Sequence, residues 1–354
     1  MNAKKTNMNA FKKYIHSNLL VFSIISFTLA TLFSSCKKSD STSDTIVGDW
    51  KRSSEFDGAG RTEAITFNVN DKVYLGGGFD GTNRLNDFWV FNISAGYWQQ
   101  VADFPGTPRN SAVAFTINDK AYVGTGSDAD GNKLKDFWEY DPSADTWTRK
   151  ADFGGTARYG AVGFSINDKG YISTGYDGSY LKDLWEYNPT SDSWTQKASL
   201  GGSKRSDAVV FVYNNKAYIV TGFNNGSYLN DFWAYEPASD SWEEKRKIND
   251  VSDETYDDDY GSNILRSNAA VFVLNNKAYL TCGSHSGIIG TTWEYNIDAD
   301  TWNQKTSFEG AAREGTLGFS IDGRGFIVSG NNSSYYFDDL WEFSPDADQD
   351  DNNN

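Results

Sequence analysis

Short apolar and aromatic runs alternate with polar turns along most of the chain, and the pattern repeats. The stretch from Arg205 to Trp242, RSDAVVFVYNNKAYIVTGFNNGSYLNDFWAYEPASDSW, is one full unit. β-branched and aromatic residues fill its runs, and Asn, Asp, Gly and Pro separate them, which is typical of strands joined by tight turns. Helical periodicity is absent from the units. Each unit predicts four strands, here over residues 208–213, 216–221, 231–235 and 241–245.

Six copies of this unit follow one another, and their spacing predicts how the chain closes on itself. An arginine near the start marks each copy: Arg61, Arg109, Arg158, Arg205, Arg266 and Arg313. Two tryptophans nine residues apart mark the second half of each copy, but the sixth copy lacks the second one. Trp50 lies eleven residues before Arg61, the spacing found at every other junction but one. The segment around Trp50 is therefore predicted to supply the last strand of the sixth copy.

Four antiparallel strands repeated six times predict an all-β fold, a six-bladed β-propeller closed by an N-terminal outer strand. Closure of the ring removes exposed sheet edges. The unit resembles the Kelch repeat, an apolar run ending in Gly-Gly and followed by a Tyr and a Trp. Gly77-Gly78, Phe91 and Trp98 fit this pattern, and Tyr140 with Trp147 fits its second half. The resemblance implies that the first strand of each blade is innermost, but Kelch propellers include both binding modules and enzymes.

The ends of the chain differ in composition from the repeats. Residues 1–35 have the pattern of a lipoprotein signal peptide, with four lysines, then the apolar run 19–33, then Ser34-Ser35-Cys36. A membrane helix is the alternative, but the run is short of a full span. We expect Cys36 to be lipidated, residues 36–49 to be a flexible tether, 50–345 the propeller, and 346–354 a disordered acidic tail. This organisation predicts a protein anchored to a membrane in the bacterial cell envelope, at a face that the sequence leaves open.

Charge and rare residues exclude several functions. The formal net charge is −16, and removal of residues 1–35 makes it more negative by four, which argues against nucleic acid as a partner. Beyond Cys36 the chain contains one cysteine, Cys282, and one histidine, His285. A catalytic Ser-His-Asp triad, a multi-histidine metal site and the copper site of galactose oxidase are therefore not expected. We predict no catalytic residue, metal or cofactor, and we expect Cys282 to be a small buried strand residue.

One junction between repeats is longer than the others. Trp242 and Arg266 are 24 residues apart, and the inserted stretch is rich in Asp and Glu. A solvated acidic loop is the simplest interpretation. Dense carboxylates could also converge on calcium or on a basic partner.

The candidate site is one end of the central channel. Because neighbouring strands of a blade run in opposite directions, the loop before the first strand and the loop after the second strand lie on the same face. If the first strand is innermost, as the resemblance implies, the six arginines surround the channel mouth on that face. They either bond carbonyls and carboxylates of a neighbouring blade or converge on an anionic ligand such as a sugar acid. Nearby positions that break the repeat are further candidates: Glu63, Asn110, Tyr159, Asp207, Asn268 and Glu314.

The sequence favours a lipid-anchored propeller that binds a glycan or a protein partner at this mouth. The alternative is an enzyme, because the chain is also similar to N-acetylneuraminate epimerases, which are secreted six-bladed Kelch propellers. That resemblance implies a cofactor-free sugar-acid mutarotase in which Glu63, Asp207 or Glu314 acts as acid or base and the arginines hold the carboxylate.

Overall fold

A computed structural model describes residues 46–352, and over this range the chain forms strands, turns and loops. Between residues 46 and 352 no helix is long and apolar enough to cross a membrane. The strands form six four-stranded antiparallel sheets, which are the blades, and two short hairpins. The fold is therefore all-β and six-bladed, as the repeats predict.

The first three blades use consecutive strands of the chain. Blade 1 contains β2 (Ile65–Val69), β3 (Lys72–Gly76), β4 (Phe88–Asn92) and β5 (Tyr97–Val101). Blade 2 contains β6 (Val113–Ile117), β7 (Lys120–Gly124), β8 (Phe137–Asp141) and β9 (Thr146–Lys150). Blade 3 contains β10 (Val162–Ile166), β11 (Lys169–Ser173), β12 (Leu184–Asn188) and β13 (Ser193–Lys197).

The other three blades include both short hairpins and the N-terminal strand. Blade 4 contains β14 (Val209–Tyr213), β15 (Lys216–Val220), β18 (Phe232–Glu236) and β19 (Ser241–Lys245), with the hairpin β16 (Phe223–Asn224) and β17 (Ser227–Tyr228) above it. Blade 5 contains β20 (Ala270–Leu274), β21 (Lys277–Thr281), β22 (Thr292–Asn296) and β23 (Thr301–Lys305). Blade 6 contains β24 (Leu317–Ile321), β25 (Arg324–Val328), β28 (Asp339–Ser344) and β1 (Asp49–Glu55), with the hairpin β26 (Asn331–Asn332) and β27 (Tyr335–Tyr336).

The first strand of each blade lines the channel. β2, β6, β10, β14, β20 and β24 contact one another in sequence around a closed ring. Hydrophobic clusters lie between neighbouring blades; one of them joins Phe67 and Tyr74 of blade 1 to Tyr140 of blade 2. The core is thus a set of layers between blades, so each blade is stable only beside its neighbours.

The N-terminal strand closes the ring. β1 pairs with β28, and Trp50 lies opposite Phe343 with no exposed surface. The Trp50 indole donates to the Thr306 carbonyl at 3.3 Å, as the Trp147 indole of blade 2 donates to the Ala102 carbonyl at 3.0 Å. Trp50 therefore occupies the place of the missing second tryptophan, and the predicted closure is confirmed.

Both ends of the propeller extend slightly beyond the predicted boundaries. The Gly48 amide donates to the Ala347 carbonyl at 2.9 Å, and the Asp350 amide donates to Asp49 at 2.8 Å. Ala347 and Asp350, which belong to the stretch that we expected to be disordered, thus bond to residues at the start of the closing strand. The predicted signal peptide, Cys36 and most of the predicted tether lie outside the described residues.

Candidate functional site

A closed ring of six backbone hydrogen bonds surrounds one mouth of the channel. In each blade the amide two residues after the arginine donates to the equivalent carbonyl of the preceding blade, over 2.8–3.1 Å. The members of this mouth ring are Glu63, Ser111, Gly160, Asp207, Asn268 and Gly315. All six have a positive φ, between 51° and 62°. Four of them are not glycine, and holding such residues in this conformation costs free energy that the ring must offset.

The six arginines turn away from the mouth and hold their own blades together. Arg158 is buried, and its two terminal nitrogens bond the two carboxylate oxygens of Asp183 at 2.6 and 2.8 Å. The Thr174 and Thr156 carbonyls accept two further bonds at 2.9 and 3.0 Å. Burial would raise the pKa of Asp183, but the hydrogen bonds and charge of Arg158 outweigh it and lower the pKa.

The same arrangement corrects one interpretation and refines another. In three further blades both terminal nitrogens of the arginine bond the aspartate carboxylate, in the pairs Arg61–Asp87, Arg109–Asp136 and Arg313–Asp339. In blade 4, Arg205 forms an ion pair with Asp231. With their side chains at most 2 % exposed, these arginines are structural residues and do not offer their guanidinium groups to an anionic ligand. Their partners lie in the same blade, not in a neighbouring one as we expected. The backbone carbonyl of each arginine links neighbouring blades. For example, the Gly126 amide of blade 2 donates a hydrogen bond to the Arg158 carbonyl, which enters blade 3, at 2.7 Å.

The aspartates of these pairs have a second partner, which the sequence interpretation missed. Asp183 also accepts a bond from the Trp185 indole at 2.8 Å, and Asp-x-Trp in blades 1, 2, 4 and 6 does the same. From the sequence alone, an aspartate just before the third strand is interpreted as the cap of a turn. A spacing of 25 to 27 residues from arginine to aspartate recurs in five repeats and was the available signal.

Blade 5 breaks this pattern, because Thr291 replaces the aspartate. Arg266 is fully buried and bonds only neutral groups there, among them the Thr291 hydroxyl at 2.7 Å and the Cys282 carbonyl at 2.8 Å. Burial lowers the pKa of Arg266 to about 10. The Trp293 indole is buried without a hydrogen-bond partner. Blade 5 therefore contains a buried cation that lacks the carboxylate of the other five blades.

Substituting Thr291→Asp is expected to stabilise the protein. Pairing the buried Arg266 should raise the free energy of unfolding at neutral pH by about 1–3 kcal/mol, since hydrogen bonds to charged groups contribute in that range. The introduced carboxyl should have a lowered pKa, so the gain is present above about pH 4 and is lost on acidification. Urea unfolding at neutral pH and below about pH 4 measures the change in the free energy of unfolding, with Thr291→Asn as the uncharged control. A gain equal in the two variants would contradict the mechanism.

The acidic insertion packs against blade 5 rather than forming only a solvated loop. Tyr260 and Ile264 are buried, and the Tyr260 hydroxyl accepts a bond from the Trp302 amide at 2.6 Å. Asp257 is buried and accepts bonds from the amide and hydroxyl of Ser252 at 3.0 and 2.9 Å. Asp250, Asp257 and Asp258 each place one carboxylate oxygen within 4.8 Å of the others. Aspartate clustering of this kind is common without an ion.

Three acidic candidates come together at the mouth. The Glu63 carboxylate accepts bonds from the Asn110 amide and the Ser111 hydroxyl, and Asp207 accepts one from Ser206 at 2.7 Å. Burial raises the pKa of Asp207 to about 6, and the charges of Glu63 and Glu314 add to the effect. Burial, with the charge of Glu63, also raises the pKa of Glu314. Glu63 and Asp207 border a cavity of about 170 Å³, and alanine and glycine make up about half of the residues that line it.

Aromatic side chains extend from this mouth across blades 3 to 5. They lie where the loop after each arginine pairs with the loop after the second strand of the same blade. The equivalent positions carry Asn110, Ser127 and Lys133 in blade 2, and Thr62, Phe79 and Arg84 in blade 1. We define the aromatic arc as Tyr159, Tyr176, Tyr180, Phe223, Tyr228 and His285. Ring centroids along it are 5.6, 5.1, 6.3, 5.2 and 4.5 Å apart in that order. The scaffold is sixfold, whereas the aromatic side chains on this face fall into separate groups: outside the arc, Phe79 of blade 1 contacts Tyr336 of blade 6, with ring centroids 5.7 Å apart.

One end of the arc is held by a hydrogen bond, and the other end lies beside a charged carboxylate. His285 stacks on Tyr228, and its Nδ1 lies 2.6 Å from the Leu265 carbonyl, so this nitrogen carries the proton. Burial raises the pKa of Tyr159, and the charge of Asp207 adds to the shift. On the other side of the ring, the Arg84 guanidinium lies 4.1 Å from the Phe79 ring centre. Within residues 46–352 Arg84 forms no ion pair.

Comparison with known proteins supports the repeat assignment. A model of the KLHDC2/KLHL20/DRC7 Kelch-repeats domain matches residues 104–257, and a Kelch motif model matches residues 67–105. A solved structure titled "Structure of YjhT" superposes with a TM-score of 0.65 at 16 % identity, over 82 % of this chain and 95 % of that one. At this identity the likeness concerns the fold alone. None of the curated proteins matches the sequence significantly. The chain is a six-bladed β-propeller built of Kelch repeats.

Proposed function

We propose that this propeller is a non-enzymatic binding module that takes a glycan at its mouth face. The observation that supports this most directly is the aromatic arc beside the hydrogen-bond acceptors of the mouth. A pyranose ring has an apolar face of C–H groups and an edge of hydroxyls. Tyrosine side chains offer a flat apolar surface with a polar tip, and carboxylates accept hydroxyl bonds, so the two features suit the two sides of a sugar.

The charges at the mouth favour a neutral sugar over a sugar acid. Glu63, Asp207 and Glu314 are ionisable groups at the opening. The six arginines that could have held a carboxylate are buried inside the blades, five of them paired with aspartates and Arg266 bonded to neutral groups. A bound carboxylate would lie beside like charges, which costs free energy when water is excluded. The sugar acid that the sequence left open as an alternative ligand is therefore not favoured in this proposal.

The surface favours a glycan over a protein partner. Large hydrophobic side chains that are well exposed in the described range are few and scattered: Ile46, Tyr97, Val251 and Tyr335. Stable protein interfaces usually have a contiguous apolar centre, which scattered residues do not provide. Half-buried tyrosines with free edges fit a small hydroxylated ligand better. The lipid anchor that we predict at Cys36 would hold the propeller at a membrane of the cell envelope.

Ligand-detected NMR with neutral sugars tests the proposal. We expect saturation transfer from the protein to glucose, N-acetylglucosamine, xylose or their cello-, chito- and xylo-oligosaccharides, and loss of the signal in Tyr176→Ala. Tyr97→Ala is the matched control, because Tyr97 is 49 % exposed on the outer strand β5, away from the arc. Binding that survives Tyr176→Ala, or no binding of any of these sugars, would overturn the proposal and direct attention to a protein partner.

The same spectra examine the second candidate function. A carboxyl with a pKa of about 6 beside Glu63 and Glu314 suits a general acid or base near neutral pH, which favours a cofactor-free mutarotase. Such an enzyme would accelerate exchange between the α and β anomers of a bound sugar, and Asp207→Asn would abolish the acceleration. Binding without faster exchange supports the binding module.

A further inference from the structure

A second cavity lies on the mouth face, between the loops of blades 3 and 4. Its volume is about 420 Å³, against about 170 Å³ for the mouth cavity. Tyr176 and Tyr180 line it from blade 3, Asn224 lines it from blade 4, and Lys204 lines it from the loop that enters blade 4. We call it the blade 3–4 groove. Its size falls in the range of small-molecule sites, roughly 300–1,000 Å³, whereas the mouth cavity alone is below that range.

The groove and the mouth share one aromatic surface. Tyr159 lies close enough to Asp207 and Glu63 of the mouth for their charges to raise its pKa. Its ring centre is 5.6 Å from that of Tyr176, which in turn is 5.1 Å from that of Tyr180 in the groove. Tyr176 and Tyr159 also exchange backbone hydrogen bonds of 2.9 and 3.2 Å. Tyr159, Tyr176 and Tyr180 therefore form a row of contacting rings that leads from beside the mouth to the groove.

The groove has unused polar groups along its edge. The Asn224 side-chain oxygen is buried without a hydrogen-bond partner. Lys204 is exposed, and no ion pair involves it in the part of the chain that the structure describes. The Ser179 hydroxyl is exposed at the rim, where the Ser179 amide is fixed by Asp177 at 3.0 Å. The groove thus offers tyrosine rings on which a second sugar ring can stack. It also offers an ammonium, a hydroxyl and an amide that can bond the hydroxyls of that sugar.

We propose that the blade 3–4 groove is a second sugar subsite, so that the ligand is an oligosaccharide spanning mouth and groove and not a monosaccharide. This inference rests on the proposed glycan-binding function and adds the length of the ligand to it. One sugar contacts Tyr159 and the acceptors of the mouth. The next sugars stack on Tyr176 and Tyr180 and bond to Asn224 and Lys204. An enzyme acting on a free monosaccharide would have no use for such a groove.

Affinity as a function of chain length tests the inference. Isothermal titration calorimetry is run with the mono- to hexasaccharides of the cello-, chito- and xylo-oligosaccharide series. For the series that binds, we expect the dissociation constant to fall at least about tenfold between the monosaccharide and the trisaccharide, which corresponds to about 1.4 kcal/mol. Tyr180→Ala should bring the longer sugars back to the affinity of the monosaccharide and leave the monosaccharide unchanged. Tyr335→Ala is the control, since Tyr335 is 60 % exposed on another loop of this face.

The possible outcomes separate the two proposals. Equal affinity for every length would overturn the second subsite and leave the glycan-binding function intact. Weaker binding of the monosaccharide itself in Tyr180→Ala would show that the groove is the primary site, and this also overturns a two-subsite arrangement. No binding of any length contradicts the function itself. Thermal melting of Tyr180→Ala checks its fold, and Lys204→Gln, a change at an exposed position, provides a second variant that should affect only the longer sugars.

Discussion

Substituting Arg158→Ala is expected to lower the free energy of unfolding by about 3–5 kcal/mol, the usual cost of removing one partner of a buried ion pair. The guanidinium makes hydrogen bonds to both oxygens of Asp183 and to two carbonyls, all inside blade 3. Without it, Asp183 keeps only the Trp185 indole as a side-chain partner. The carboxylate would then remain partly buried with little to balance its charge.

Urea unfolding followed by tryptophan fluorescence measures this loss. Arg149→Ala is the matched control, because Arg149 forms an exposed pair with Asp152 and exposed pairs contribute about 0–1 kcal/mol. The double variant Arg158→Met with Asp183→Leu should recover much of the loss, since apolar replacement of a whole buried pair is often neutral. The lowered pKa of Asp183 means that the pair stabilises the protein above about pH 4, with the contribution disappearing as the pH falls. A loss below about 1 kcal/mol at neutral pH would show that the pair is dispensable.

Substituting Trp50→Ala is expected to destabilise the propeller by about 3–5 kcal/mol, as for other large-to-small changes in a core. Trp50 is fully buried and packs against Phe308 and Phe343, with ring centroids at 5.2 and 4.5 Å. The strand that carries it is the outer strand of blade 6, so a weaker β1 also exposes the edge of β28.

Two measurements distinguish loss of packing from loss of closure. Equilibrium unfolding gives the free energy, and Tyr97→Ala, an exposed aromatic on the equivalent outer strand of blade 1, should change it by less than about 0.5 kcal/mol. Light scattering should reveal association of the Trp50 variant through the freed strand edge. A variant as stable as the unchanged protein would mean that β1 does not close the ring.

The repeat made the architecture predictable, because a spacing that recurs six times is independent of any single residue. Trp50 could be assigned to blade 6 from its distance to Arg61 alone. The partner of each arginine could not be assigned in this way, since an arginine at a channel mouth and an arginine folded back into its blade have the same sequence. The missing aspartate at Thr291 was a clue, because it removes the partner while leaving Arg266 in place.

The candidate site was predictable where it breaks the repeat and not where the loops vary in length. Glu63, Asp207 and Glu314 stand beside the recurring arginines, and the structure brings them together. Tyr180 and Tyr228 lie farther along loops of variable length, so no spacing identifies them. The signal that could have found part of the arc is the repeat itself: Tyr176 and Phe223 each directly follow the glycine that lies two residues after the second strand of a blade.

The mouth ring has no first and no last member, although the chain that forms it has two ends. The hydrogen bond from the Glu63 amide to the Gly315 carbonyl joins blade 1 to blade 6. It is 3.0 Å long and equivalent to the five others. The interruption of the chain lies at the outer edge of blade 6, where Gly48 and Ala347 are bonded to each other. The fold is thus circular in everything except its covalent connectivity. A circularly permuted chain, joined there and opened at a turn between the two outer strands of another blade, would retain every contact of the mouth.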